Sequence, residues 1–168
     1  LRVEAQASNA DVADIDDCMI VGNMAKFGGG ALIRSVGRLK ATDAMIIRNK
    51  AMTGGGVYIF GKHVDAHACN FNNNTAERHG GGMYFIARKR FKEIQVKNSS
   101  FAQNNASLGG KHQNRVVCLP SVLVFAGGAV FHLDRRHFRK YATNQTFDIS
   151  TTRFMGNHAK RAGGGFFI

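Results

Sequence analysis

Asp17 and Asp43 are the acidic residues whose spacing could support chemistry. They occupy the same position in two successive copies of a repeat described below, so stacking would bring them close together. Two neighbouring carboxylates shift each other's pKa values and can act as general acid and base. The chain has only 11 Asp and Glu, and we interpret this pair as turn or surface residues. We therefore predict no catalytic residues, with a polysaccharide lyase or hydrolase as the enzymatic alternative.

Histidines, cysteines and glycines give weaker signals of chemistry. The 7 histidines fall at different repeat positions, and His63 and His67 share one side of a strand without acidic or cysteine partners, so no metal site is predicted. Cys18 and Cys69 would lie two coils apart, too far for a disulfide. The glycine clusters lack the Gly-x-x-x-x-Gly-Lys-Ser/Thr phosphate-binding motif and are typical of turns. We predict no metal and no cofactor.

Basic residues give the clearest indication of a partner. The 23 Lys and Arg produce a formal net charge of +12, which favours binding to acidic groups. Twelve of them occur between successive copies of the repeat, in what we predict to be equivalent turns that stacking aligns along one side. We call these residues the basic edge: Arg34, Arg38, Lys40, Lys62, Arg88, Lys89, Arg90, Lys92, Arg135, Arg136, Arg139 and Lys140.

Two interpretations of the basic edge are open. It could contact an acidic protein surface or an anionic glycan, with nucleic acid as an alternative that we do not favour. It could instead consist of solvated turn residues that prevent aggregation through strand edges. A separate column of Asp14, Lys40 and Asp65 is predicted to form an outward ladder of ions.

The elements that position these residues are five copies of one repeat. Each copy has an apolar residue, then Asn three positions later, Ala two positions after that, and a glycine pair followed by apolar residues. Before each motif, apolar and polar residues alternate at a period of two, which predicts a short strand. The copies cover residues 13–34, 39–60, 64–85, 94–132 and 147–168. The fourth copy contains an insertion at 111–126, and a second insertion follows at 133–146.

A unit of this size cannot bury its own apolar face, whereas stacked copies form a continuous core. We therefore predict an all-β chain, a right-handed parallel β-helix (solenoid) of about five coils with two loop insertions, forming one domain over residues 1–168. Equivalent asparagines would lie within ~5 Å of each other and form a hydrogen-bonded structural ladder. Its members are Asn23, Asn49, Asn74, Asn104 and Asn157.

The ends of the sequence and its apolar runs bear on context. The chain begins with Leu rather than Met, and its last copy lacks a polar cap, so we expect a piece of a longer protein. The longest apolar run, from Val116 to Ala126, is too short to span a bilayer, so no transmembrane segment is predicted.

The repeat also resembles a known family. Phe71-x-x-Asn74, Phe101-x-x-Asn104 and Phe154-x-x-Asn157, each followed by a glycine-rich stretch, are similar to the FxxN and GGA[ILV] repeats of polymorphic outer membrane proteins. The resemblance covers residues 12–168, although Ile20 and Ile46 replace the Phe in the first two copies. It implies a pectin-lyase-like right-handed β-helix and surface adhesion, and it implies no catalytic residues.

These observations lead to one expected function and one alternative of a different class. We expect a non-catalytic structural and interaction module of an extracellular or cell-surface protein, which binds an acidic partner through the basic edge. The alternative is an accessory scaffold subunit of a large organellar membrane or ribonucleoprotein assembly. There, neighbouring subunits would balance the charge and cover the uncapped ends.

Overall fold

The structure is a computed structural model that describes residues 2–4, 12–87, 93–107, 129–132 and 146–159. All the regular structure in these residues is β-strand. The strands are β1 (Arg2–Glu4), β2 (Val12–Asp16), β3 (Met19–Val21), β4 (Met24–Phe27), β5 (Ala31–Thr42), β6 (Met45–Ile47), β7 (Lys50–Thr53), β8 (Val57–His67), β9 (Asn70–Asn72), β10 (Thr75–His79), β11 (Met83–Ala87), β12 (Glu93–Lys97), β13 (Ser100–Ala102), β14 (Asn105–Ala106), β15 (Ala129–His132), β16 (Thr146–Ser150), β17 (Arg153–Met155) and β18 (His158–Ala159).

The strands form three parallel sheets that the chain visits in turn. Sheet 1 has eight strands: β1, β2, β5, β8, β11, β12, β15 and β16. Sheet 2 stacks β3, β6, β9, β13 and β17, and sheet 3 stacks β4, β7, β10, β14 and β18. Each coil passes from sheet 1 through sheets 2 and 3 and back to sheet 1, which makes the molecule a parallel β-solenoid.

The predicted parallel β-solenoid is confirmed, with a smaller number of complete turns. About three turns run without interruption through residues 12–87. The remaining described strands add a fourth and a fifth layer to sheets 2 and 3. Both predicted insertions lie outside the described residues, apart from Thr146, which begins β16.

Equivalent apolar residues stack to form the core. In sheet 2, Ile46 pairs in register with Ile20 on one side and Phe71 on the other. The stack continues through Phe101, whose ring lies 4.5 Å from that of Phe71 and nearly parallel to it, and ends at Phe154 with a 5.0 Å ring separation. Each coil therefore adds one apolar side chain to the stack, and its dispersion contacts and apolar burial stabilise the fold.

Left-handed residues form the sharp corners of each coil. The corner between sheets 1 and 2 always contains one residue with positive φ, and so does the corner between sheets 2 and 3. This conformation costs most residues about 1–2 kcal/mol and is least costly for Gly, Asn and Asp. The first set is Asp17, Asp43, Ala68, Asn98 and Thr151, and the second is Gly22, Arg48, Asn73, Gln103 and Gly156.

The prediction that turns connect the first three copies is wrong. Arg34, Arg38 and Lys40 lie within β5, and Lys62 lies within β8, so these residues are on strands. The physical reason is that β5 and β8 stay hydrogen-bonded through the whole connection, with an irregularity in register after Arg34 that accommodates the change of direction.

Candidate functional site

The five asparagines stack into a continuous hydrogen-bonded ladder. The central Asn74 uses all of its side-chain capacity. Its Oδ1 accepts from the backbone N–H of Asn49 at 3.0 Å and from Asn49 Nδ2 at 3.1 Å. Its Nδ2 donates to the carbonyl of Ile46 at 2.7 Å and to Asn104 Oδ1 at 3.0 Å. A saturated and buried amide has no group left for a ligand, so this ladder holds the coils together rather than binding anything.

Asp17 and Asp43, the possible carboxylate pair, are exposed corner residues. Their φ angles are 45° and 50°, and their backbone N–H groups donate to the carbonyls of Thr42 and His67 in the next coil. The same corner position is filled by Ala68 in the third coil. The shared requirement of this column is therefore a left-handed backbone and not a carboxylate.

The histidine and cysteine side chains that could take part in chemistry contact nearby residues of the fold. His67 Nε2 lies 2.9 Å from Asn98 Nδ2. Cys18 and Cys69 are both free thiols, and the Cys69 Sγ donates to the carbonyl of His67 at 3.3 Å. Within the described ranges, no three His, Cys, Asp or Glu side chains come together in a way that could hold a metal ion.

Ion pairs between described side chains lie on the outer face of sheet 1. Arg38 contacts Asp65 at 2.6 Å, and Lys40 contacts Asp14 at 3.4 Å. The predicted column of Asp14, Lys40 and Asp65 is in register, but it is Arg38 from the adjacent column whose charge meets Asp65. Part of the charge of these two cations is therefore balanced within the fold.

A third pair, between Lys97 and Asp148, extends this pattern to the last coils. The two side chains are 3.1 Å apart. The hydrogen bond from Lys97 holds the pKa of the Asp148 carboxyl below its usual range. Both groups are partly exposed, so the pair contributes little stability.

The remaining described members of the basic edge lie near the same part of sheet 1. Arg34 is exposed and in register with Phe60, and Lys62 follows Gly61 at the point where β8 passes from one coil to the next. The other eight members, namely Arg88, Lys89, Arg90, Lys92, Arg135, Arg136, Arg139 and Lys140, lie outside the described residues.

Charge is divided unevenly between the solenoid and its connections. The described side chains include 10 of the 23 Lys and Arg and 8 of the 11 Asp and Glu, so they are almost balanced. Most of the net charge of +12 therefore belongs to the rest of the chain, including the segments 88–92 and 133–145.

An aromatic stack of Tyr58 and Tyr84 on sheet 1, extended by Phe27 at the end of β4 in sheet 3, was not predicted. The Tyr58 ring lies 5.4 Å from the Tyr84 ring and 5.4 Å from the Phe27 ring. Burial raises the pKa of Tyr84 to about 12, and it also raises the pKa of Tyr58, with Arg34 opposing the latter shift. The signal in the sequence was the recurrence of Tyr two positions after a glycine pair in the second and third copies.

A surface groove of about 500 Å³ lies at the first coil, and it was also not predicted. It is lined by residues 23–29 together with Leu32 and Arg34. Asn23, Lys26 and Arg34 contribute its side-chain polar groups, and the glycines contribute backbone.

In the part of the chain that the structure describes, no helix is long and apolar enough to cross a membrane. No family model, curated protein or solved structure matches the chain, so the resemblance to polymorphic outer membrane proteins has no support from these comparisons.

Proposed function

We propose that this chain is a non-catalytic structural and interaction module that binds an acidic protein surface or an anionic glycan through the basic edge. The observation that carries the proposal is the common attachment of the charged connections to one part of sheet 1. We also propose a surface or secreted parent protein, for which the repeat resemblance is the only basis.

The strand register supports this common attachment. Segment 88–92 leaves from Ala87, which pairs with Gly61, and it returns at Glu93, which pairs with His63. Segment 133–145 returns at Thr146, which pairs with Glu93. Four successive connections therefore begin and end beside Arg34, Arg38 and Lys62, over a distance of about 14 Å for three strand spacings.

The charge balance explains why this region would select acidic partners. The described part of the solenoid has nearly equal numbers of acidic and basic side chains, whereas segments 88–92 and 133–145 carry 8 Lys and Arg and a single acidic residue. Like charges within a Debye length of about 8 Å reinforce one another's potential. Binding should therefore weaken as the salt concentration rises.

The test measures affinity for a fluorescent heparin-derived oligosaccharide. Arg88, Lys89, Arg90 and Lys92 are replaced together by Gln. We expect this variant to lose at least about fourfold in affinity, because each of the four exposed ion pairs contributes about 0.2–1 kcal/mol. The matched control removes four charges from sheet 3 and its neighbouring corner, by substituting Gln for Lys26, Arg48, Lys50 and Arg78, and it should lose less than about twofold.

Two results would count against the proposal. Equal losses in the two variants would show that only net charge matters, and binding that is insensitive to salt would show that charge is not the cause. Weak binding to heparin with strong binding to a polyglutamate peptide would identify an acidic protein as the partner.

The scaffold alternative is favoured by a different observation. Met19 and Met45 are 70% and 43% exposed and adjacent on the outer face of sheet 2, where Val21 and Ile47 flank them. Exposed apolar side chains gathered on one sheet are typical of protein interfaces. Under this alternative, Met19→Lys with Met45→Lys would release the chain from its assembly and leave heparin binding unchanged.

A further inference from the structure

Three asparagines in the described part of the chain begin the motif Asn-x-Ser/Thr, the acceptor for N-linked glycans. The motifs span Asn73–Thr75, Asn98–Ser100 and Asn105–Ser107, and none has Pro in the middle position. A fourth motif begins at Asn144, which lies outside the described residues. A glycan is bulky and hydrophilic, so the folded chain can carry one only on a side chain at its surface.

All three acceptor asparagines are exposed, unlike the asparagines that connect the coils. Asn49, Asn74 and Asn104 of the ladder are buried. Both hydrogens of each of their Nδ2 groups are in hydrogen bonds. None of these three begins the motif. The motif is therefore not a by-product of the ladder, and it occurs at asparagines that the fold leaves at the surface.

The backbone places two of the acceptors on opposite sides of sheet 2. Asn98 is the left-handed corner before β13, and Asn73 is the left-handed corner after β9. Asn105 lies on sheet 3, in register with Thr75. The Asn98 Nδ2 lies 2.9 Å from His67 Nε2, and it retains one N–H for this contact when a glycan replaces its other hydrogen.

We propose that Asn73, Asn98 and Asn105 are N-glycosylation sites. This proposal rests on the proposed surface or secreted parent protein, because the secretory pathway supplies the donor, an oligosaccharide linked to a lipid through pyrophosphate. In the transfer, Nδ2 forms a bond to the anomeric carbon of the sugar and gives up one proton. The bond from that carbon to the pyrophosphate oxygen breaks, and the lipid pyrophosphate leaves with the electron pair.

Glycans at these positions would leave the basic edge accessible. Segment 88–92 returns to the solenoid at Glu93, and Asn98 follows after the five residues of β12, a distance of about 16 Å. Asn73 and Asn105 come later on the coil path, beyond sheet 2. The modification is therefore compatible with binding of an acidic partner at the basic edge.

The same glycans would restrict access to sheet 2. Those on Asn73 and Asn98 leave from opposite ends of its strands, which are three residues long, or about 10 Å. Met45 and Ile47 lie one strand spacing, about 4.8 Å, from β9. A chain glycosylated here could not use the outer face of sheet 2 as a subunit interface, so this proposal opposes the scaffold alternative.

The test is peptide mapping of the protein purified from its native source. Peptide-N-glycosidase in heavy-oxygen water releases each glycan and leaves a heavy-oxygen label on the acceptor residue, which mass spectrometry locates. We expect the label at Asn73, Asn98 and Asn105, and we expect none at Asn23, an exposed asparagine outside the motif. Absence of the label at the three acceptors would overturn the proposal.

Variants of the full chain test the sites themselves. The chain is secreted from cultured animal cells behind a cleavable signal sequence, and intact mass gives the number of glycans. Asn73→Gln, Asn98→Gln and Asn105→Gln should each lose one glycan, whereas the matched control Asn23→Gln should lose none.

Two further variants keep the acceptor and remove the hydroxyl group of the motif. Thr75→Val and Ser100→Ala should lose the same glycans as Asn73→Gln and Asn98→Gln, and retention of every glycan would overturn these sites. A native protein without glycans whose secreted form carries them would refute the proposed secretion and this proposal with it. Heparin affinity is measured on chain made in bacteria, so the basic edge and the glycan sites can each fail without the other.

Discussion

Asparagine side chains connect the coils at the scale of single residues. Asn49, Asn74 and Asn104 are fully buried, yet each amide has all its hydrogen bonds because the next coil presents the same group. The ladder could be predicted from spacing alone, since equal positions in a repeat stack. The donation of each Nδ2 to a carbonyl in the preceding coil, as from Asn74 to Ile46, could not be predicted, because it depends on side-chain torsions.

The first prediction concerns the centre of the ladder. Asn74→Ala leaves the Asn49 N–H, the Asn49 Nδ2 and the Ile46 carbonyl without their partner in a buried site. We expect the free energy of unfolding to fall by about 3 kcal/mol or more, measured by urea denaturation. Asn23→Ala, at the exposed end, should cost about 1 kcal/mol or less. Equal losses in the free energy of unfolding for the two variants would contradict the role of the buried ladder in holding the coils together.

The second prediction concerns the left-handed corners. Ala68 has a φ of 53°, which glycine adopts without a penalty. Ala68→Gly should raise the free energy of unfolding by about 0.5–1 kcal/mol. The control is Ala66→Gly, two residues earlier on the inward face of β8, which should lower it by about 1 kcal/mol. A loss of stability in both variants would show that the corner is not left-handed.

At the scale of strands and turns, close contact between coils limits which residues fit. A Cβ on Gly55 would collide with the backbone carbonyls of Thr75 and Gly81 in the next coil. Because these carbonyls belong to the stacked backbone, they cannot move away without disturbing the hydrogen bonds between coils. The glycine pairs were predicted to form turns. In the structure, they are required because the backbones of neighbouring coils approach too closely to leave room for a Cβ.

The third prediction follows from this contact. Gly55→Ala should lower the free energy of unfolding by about 3 kcal/mol, through overpacking against backbone. Gly22 gives a matched control, since a Cβ there meets nothing within 4 Å and only its φ of 70° opposes substitution. Gly22→Ala should therefore cost about 1 kcal/mol. A larger loss of stability in Gly22→Ala than in Gly55→Ala would contradict the close spacing of the coils.

The fourth prediction uses the aromatic stack on the outer face of sheet 1. The pKa of Tyr84 is about 12 in the folded chain, against 10.0 for an ordinary tyrosine. The unfolded chain therefore loses this proton first, so the contribution of Tyr84 to stability is fully present below pH 10 and is lost as the pH rises from 10 to about 12. We expect a loss of about 1–2 kcal/mol, after allowing for partial exposure.

Tyr84→Phe should remove the part of the alkaline loss of stability that Tyr84 causes and leave the part that Tyr58 causes. The measurement is urea denaturation at pH 9 and pH 11.5, compared between the two chains. Absorbance at 295 nm should show one late-ionising tyrosine in the original chain that the variant lacks. An identical pH dependence in both chains would show that Tyr84 is solvated.

At the scale of the whole molecule, the repeat spacing was sufficient to predict the parallel solenoid, because only stacking buries the apolar face of each copy. The path of β5 was not predictable. Residues 34–40 contain three cations and a glycine, which suggest a turn, but hydrogen bonding to β8 keeps the segment extended. The pairing of Arg38 with Asp65 was also missed, since it depends on the diagonal reach of a long side chain.

The functional proposal depends on this stacking more than on any single residue. The basic edge exists as one surface only if the connections after successive coils attach above one another.

The most direct test is a distance between two spin labels on the outer face of sheet 1. Asp14 and Asp148 occupy one column, connected in register through Lys40, Asp65 and Gln95. Cysteine replaces both residues in a chain whose native cysteines are changed to Ser, and pulsed electron paramagnetic resonance measures the separation. Four strand spacings predict a single narrow distribution centred at about 19 Å. A broad distribution, or one centred beyond about 30 Å, would contradict the stacking of the coils.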